Sequence, residues 1–302
     1  MFKNLLVYRM AAGWTMAIDR LDELLAQDAF TECGASQEKS VGWIPPRDKA
    51  HGAFVEVVDG QWLLKLMIET KAVPASVIKR KVDEQCAQIE ASTGRKPGKK
   101  ESRDIKDDAK LALLPMAFSK QGTVQVWIDP KASLVMLDAG SSAKADEVLT
   151  CLAKAIDGLG LSLVQTTVSA ASAMAEWLRS GEPPAGFAIM RECELKAADE
   201  TQAVVRYARH ALDIDEVRQH IAAGKLPTKL ALNWDDRVNF ILTDAFQIKK
   251  ISFEDVVFEG TSAKDDDGFD TDAAIATGEL RKLIPDLVLG LGGELATGAS
   301  PG

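Results

Sequence analysis

The chain has 302 residues, of which 46% are apolar and 27% charged, and its 36 Lys and Arg against 45 Asp and Glu give a formal charge of −9. That composition is globular, and the length suggests about two domains. No stretch approaches the roughly 20 uncharged apolar residues of a membrane helix, and the apolar run after Met1 is too short for a signal peptide, so the expectation is a soluble, intracellular protein with no membrane partner.

Leu5 to Met10 reads as a strand, and Met16 to Ala26 as a helix with Ile18, Leu21, Leu24 and Leu25 on one face. Trp43-Ile44-Pro45-Pro46 is extended punctuation. Ala53 to Val58 and Gln61 to Ile68 are predicted strands around Asp59-Gly60, a pair suited to the two positive φ angles of a type I′ turn. Pro74 opens a helix striped by Ile78, Val82 and Ile89, which breaks at Thr93-Gly94 and Pro97-Gly98. A second helix is predicted from Glu101 to Leu114, and the two form a helical hairpin whose outer part is almost wholly polar, so it is expected to project.

Strands follow at Thr123 to Ile128, Leu134 to Asp138 and Leu161 to Thr166, with helices at Lys144 to Ile156 and Ser169 to Arg179. Gly181 to Gly186 contains two glycines and two prolines and reads as a linker. Beyond it, Phe187 to Met190 and Ala203 to Tyr207 read as strands. Asp213 and Glu216 have capping-box spacing for a helix ending at Gly224. Leu230 to Trp234, Val238 to Leu242 and Ile248 to Phe253 form a meander, and Leu280 to Leu291 a last helix. The fold class is α+β with mixed, largely antiparallel sheets. The expected regions are 1–73 with 119–180 as a central body, 74–118 as a basic helical tip, and 181–302 as a second αβ base.

Catalytic motifs are scarce. There is no phosphate-cradling GxxxxGK[ST] loop, and Gly290-Leu291-Gly292-Gly293 follows a helix, the wrong context for a dinucleotide site. Cys33, Cys86, Cys151 and Cys193 lie far apart, and His51, His210 and His220 have no metal-binding spacing. The acidic run around Asp265 and Asp267 lacks the other ligand positions of a calcium loop. No cofactor is expected.

Charge placement is more informative. Between Arg95 and Lys106 stand six cations (Arg95, Lys96, Lys99, Lys100, Arg103, Lys106) and two anions (Glu101, Asp104). Positive charge gathered in an acidic chain is either a solvated linker or a surface for a polyanion. Phe118 and Lys120 follow just past Pro115; Phe118 is either core or a contact for a partner subunit.

At these residues the chain resembles the recombination-associated RdgC family. Phe2 to Arg9, Ala29 to Gly34, Gly42 to Pro46, Leu113 to Lys120, Val126 to Asp129, Glu176 to Gly181, Thr228 to Trp234, Thr277 to Leu280 and Gly290 to Glu294 carry the resemblance, through their order and number. It implies a ring-shaped homodimer with a basic hole that binds duplex DNA, and single-stranded DNA as a possible second substrate. Weak sequence preference, restraint of a RecA-type recombinase, and a place in the cytoplasm at the nucleoid are implied with it, and no enzymatic activity. In that picture Arg95, Lys96, Lys99, Lys100, Arg103, Lys120, Arg206 and Arg209 face DNA, while Phe118 and His210 lie at dimer contacts. Met116 and Ala208 stand where family members can carry cations, which shifts the expected phosphate contacts to the residues just named. Two other readings stay open: a metal-dependent DNA-processing enzyme using the acidic run, and a regulator that touches the recombinase directly.

Overall fold

The computed structural model describes residues 2–49, 51–259 and 268–295. In chain order the elements are β1 (Leu6–Met10), α1 (Ile18–Gln27), β2 (Lys39–Ile44), β3 (Glu56–Val58), β4 (Gln61–Lys71), α2 (Ala75–Thr93), α3 (Lys99–Leu113), β5 (Ser119–Asp129), β6 (Leu134–Leu137) and α4 (Ser142–Ala155). They continue as β7 (Leu161–Leu163), α5 (Ala170–Ser180), β8 (Phe187–Ala197), β9 (Val204–Ala208), α6 (Asp215–Ala222), β10 (Lys225–Trp234), β11 (Val238–Thr243), β12 (Ile248–Phe253) and α7 (Phe269–Gly290). Short 3-10 turns cover Leu114–Met116 and Asp255–Phe258. The fold is α+β, with two antiparallel sheets: one in the order β2-β4-β5-β6-β1-β7 with β3 also paired to β4, the other β12-β11-β10-β8-β9. No helix among the described residues is long and apolar enough to cross a membrane.

The chain divides into two compact units. The first takes residues up to Leu21, Val55–Leu64, and everything from Gln125 onward. Its five-stranded sheet alternates: Leu230, Leu232 and Trp234 of β10 are buried, and Cys193 and Leu195 of β8 join them. Trp177 of α5, Val217 of α6 and Leu280, Leu283 and Leu287 of α7 belong to the same core. Each such side chain contributes about 1.5–3 kcal/mol through burial. Gly181 to Gly186 lies within this unit, between Trp177 and Phe187 of one continuous core. Two carboxylates are held by arginine there, as burial requires. Asp129, 3% exposed, meets Arg281 at 3.0 Å, and Glu279 accepts from Arg237 at 2.6 and 2.8 Å.

The second unit takes Asp22–Phe54 and Lys65–Val124. Leu25, Trp43, Leu66, Ala109 and Leu114 are fully or almost fully buried in it. β2 pairs with the later part of β4, and Trp43 exchanges backbone hydrogen bonds with the Asp28–Phe30 segment. α2 and α3 contact each other, joined by residues 94–98.

Several sequence expectations are corrected. Asp213 and Glu216 do not form a capping box: Ile214 is the N-cap of α6 without a side-chain cap, and Asp213 is ion-paired to Arg218. α7 starts at Phe269, eleven residues before Leu280, and continues through Pro285. β2 runs from Lys39 to Ile44, where the sequence shows only its end, as the extended Trp43-Ile44-Pro45-Pro46 punctuation. Asp265 and Asp267, and the tail beyond Leu295, lie outside the described residues.

Candidate nucleic-acid interface

The α2–α3 connection is built by the residues that break the helices. Gly94 caps α2 at φ +72°, its N–H donating to the Glu90 carbonyl at 2.9 Å. A side chain there would be strained, so glycine fits the turn. Gly98 is the N-cap of α3, and its N–H reaches back to Glu101 Oε2 at 3.4 Å. The same carboxylate oxygen accepts from Arg95 Nη1 at 2.9 Å. That hydrogen bond, opposed by burial and helped by the Gly98 N–H, holds Glu101 below the usual carboxylate range.

The six cations of this segment therefore differ. Arg95 is compensated by Glu101, and Lys96 is 4.0 Å from Glu90 at the limit of an ion pair. Lys99, Lys100, Arg103 and Lys106 meet no carboxylate within ion-pair distance among the described residues, and all four are exposed. Lys99 and Lys100 occupy the first turn of α3. The helix dipole disfavours cations there. Local stability does not call for this placement.

Past α3 the chain leaves apolar groups in water. Phe118 is 94% exposed and Met116 73% exposed. Of the two readings of Phe118, the core is thus excluded within this chain. Lys120, at the start of β5, is exposed as well.

The remaining candidates lie in the first unit. Arg206 on β9 donates through Nε to Glu194 at 2.6 Å, so its charge is largely answered. Arg209 follows β9 at φ +55°, exposed and without a carboxylate partner among the described residues. His210 is exposed, its ring 5.9 Å from that of Tyr207 and its Nδ1 2.7 Å from the Ala211 carbonyl. Sequence reasoning missed Glu194, the anion that answers Arg206. Only the pairing of Glu194 with Arg206 across β8 and β9 reveals it.

Metal and thiol chemistry finds little here. Among the described residues no three His, Cys, Asp or Glu side chains are grouped to hold a metal. No disulfide joins the four cysteines, and burial pushes the Cys193 thiol up to about 12. His220 shares a 2.8 Å contact with Lys225 Nζ and lies 3.8 Å from Glu216.

Comparison with known proteins bears on the whole chain. A family model described as "Putative exonuclease, RdgC" matches residues 1–294. A "Recombination-associated protein RdgC" of Dechloromonas aromatica (strain RCB) is 42% identical over 300 residues, covering 97% of this chain and 98% of that protein. The protein of the same name from Herminiimonas arsenicoxydans is 41% identical over 298 residues, covering 98% and 99%. That of Cupriavidus necator (strain H16) is 42% identical over 296 residues, covering 97% and 98%. With matches of that length and identity, this chain belongs to the RdgC family of recombination-associated proteins.

Proposed function

We propose that this protein binds DNA without reading its sequence, closes around duplex DNA as a ring-shaped homodimer, and so limits a RecA-type recombinase at the nucleoid. It acts by occupancy and is not an enzyme. The observation that carries this reading is the set of cations without an ion-pair partner, Lys99, Lys100, Arg103 and Lys106, in the first half of α3 of a chain whose formal charge is −9. Such cations release counterions from phosphates and distinguish no base edge, so affinity is high at low salt and sequence preference weak.

The parts then have separate tasks. Residues 74–118 form a projecting helical hairpin region that meets the partner subunit, with Phe118, past the end of α3, buried in that closure. Residues 1–73 with 119–180 make the body, and 181–302 a base that forms the second closure near His210. Lys120 and Arg209 add to the cationic wall, with Arg95, Lys96 and Arg206 as weaker members because each already has an anion nearby. Support for this closure comes from Phe118 itself: an aromatic side chain left 94% in water stands to gain about 2–3 kcal/mol when a second subunit covers it.

The test is the salt dependence of duplex binding, measured by fluorescence anisotropy between 50 and about 200 mM salt with two unrelated sequences. A steep linear fall of log affinity with log salt, equal for both, is expected; a flat response excludes the mechanism. A second reading, a DNA nuclease, is favoured by the exonuclease wording attached to the family model. Incubating labelled linear and plasmid DNA with the protein and Mg²⁺ or Mn²⁺ separates the two: shortening or nicking supports the nuclease, protection supports the binder.

A further inference from the structure

The open face of the five-stranded sheet is not flat. β8 and β10 pair, with one irregularity at Thr228, as far as Cys193 with Leu230, and pairing resumes at Ile189 with Leu232. Met190, Arg191 and Glu192 thus stand opposite the single residue Ala231. On the other side, Asn239 pairs with Ser252 and Ile241 with Lys249, so Lys250 and Ile251 oppose Phe240 alone. Lys250 takes φ +51° at that bulge. Two bulges facing one another across β10 and β11 is an arrangement that bends strands and re-aims side chains, and it recurs beside binding sites.

Between them lies a concavity of about 270 Å³. Its apolar surface includes Met190, Ala231 and Ile241, and Arg191, Arg209 and Lys250 stand among its lining. Lys250 is answered by Glu192 at 2.8 Å. Arg191 and Arg209 are exposed and meet no carboxylate within ion-pair distance among the described residues. Arg209, like Lys250, is a non-glycine residue in the left-handed region, at φ +55°. The small Ala231 leaves the space, and two guanidinium groups are left beside it.

This combination favours one class of ligand. A guanidinium recognises a carboxylate through two parallel hydrogen bonds. An apolar hollow takes a large side chain and excludes water around it. A phosphodiester backbone supplies anions and nothing for the hollow. We propose that the concavity holds an acidic peptide segment of a partner protein, with one large apolar side chain over Ala231 and carboxylates on Arg191 and Arg209. The protein then has a docking surface for another protein besides the α3 cations assigned above to DNA.

The test uses the full-length protein and a fluorescein-labelled peptide of three aspartates, a leucine, a phenylalanine and two further aspartates. Binding is read by anisotropy at 150 mM salt. Replacing the leucine and phenylalanine of the peptide by serine is expected to weaken it at least tenfold, as is Arg191→Ala combined with Arg209→Asn in the protein. Asparagine tolerates the left-handed backbone at 209, and both arginines are exposed, so this variant keeps its fold. Ala231→Phe, which fills the hollow, is expected to abolish peptide binding, with thermal melts checking its fold.

Equal binding of the serine peptide, or undiminished binding by the arginine variant, overturns the proposal. Arg209 also stands among the proposed DNA contacts, so Arg191→Ala alone separates the two surfaces. If that single change lowers affinity for a short duplex as much as for the peptide, and the duplex displaces the peptide, the concavity is part of the DNA wall and the peptide site is lost.

Discussion

Glu194 on β8 accepts a hydrogen bond from Arg206 Nε on β9 at 2.6 Å, and the same carboxylate takes one from Thr228 at 2.8 Å and another from Lys229 at 3.1 Å, both on β10. Three strands are tied through one carboxylate. Burial alone would raise its pKa, but the donors of Arg206, Thr228 and Lys229 outweigh that and bring it down to about 2. A carboxyl group whose folded pKa lies below its unfolded value stabilises the fold above the unfolded pKa. That stabilisation is lost as pH falls towards the folded pKa. Here the window runs from the ordinary 4.5 down to about 2, and the linkage is on the order of 3 kcal/mol. Glu194→Gln is therefore expected to melt several degrees below the unchanged protein at pH 7, and the gap to narrow as pH drops from about 4.5 to 3. Circular-dichroism melts across that range check it; a constant gap shows that the carboxylate charge contributes nothing.

The same pair grades the cations for DNA binding. Arg206 is already answered by Glu194, whereas Lys99 and Lys100 have no such partner among the described residues. Lys99→Glu with Lys100→Glu is expected to weaken duplex binding by roughly 10–100-fold and to reduce the salt slope by about 2, while Arg206→Ala costs about threefold or less. Anisotropy titrations at several salt concentrations measure both quantities. Equal losses for the two variants contradict the grading.

What the sequence could reveal follows from how local each feature is. Asp59-Gly60 was legible because a tight turn depends on two residues, and both have positive φ, +49° and +75°. Gly94 and Pro97-Gly98 marked the end of α2 and the start of α3 for the same reason. The start of α7 was under-read because Gly278 lowers helix propensity, and burial of Ala273, Ala276 and Leu280 in the first unit's core overrides that. The Asp213 and Glu216 spacing misled because a half-buried arginine, Arg218, competes for Asp213. Site chemistry was less legible. The basic run is contiguous and visible, but which cations are spent depends on the folded geometry: Glu101 and Glu90 answer Arg95 and Lys96 across the turn, and Glu194 answers Arg206 from the neighbouring strand. The exposure of Phe118 could not be read from its neighbours at all.

Phe118 makes no use of its apolar surface within the chain, being 94% exposed. Phe118→Ala is expected to leave the melting behaviour of the isolated subunit within about 0.5 kcal/mol of the original, as surface changes do. Under the proposed ring closure it should raise the dissociation rate of circular DNA by about tenfold, since escape requires an opening at that contact. Stopped-flow dissociation with circular and linear duplexes gives the comparison. A lower melting temperature with an unchanged off-rate would return Phe118 to an internal structural role.

Gly42 tests the packing of the second unit. It lies in β2 beside the segment that pairs with Trp43, and a Cβ added there would come within 2.6 Å of the Phe30 backbone nitrogen and closer still to its Cα. Backbone cannot step aside as the end of a side chain can. Gly42→Ala must therefore push β2 away from Phe30, at the expense of the hydrogen bonds from Phe30 N–H to the Trp43 carbonyl at 2.9 Å and from Trp43 N–H to the Asp28 carbonyl at 3.0 Å. The expected cost is about 3 kcal/mol, typical of overpacking a well-filled site. Gly122→Ala, in β5 with nothing within 4 Å of the new Cβ, is the matched control and should be neutral to within about 0.5 kcal/mol. Urea titrations of the two variants decide it: if Gly42→Ala is as stable as Gly122→Ala, the close approach of Phe30 to β2 is not a feature of the folded protein.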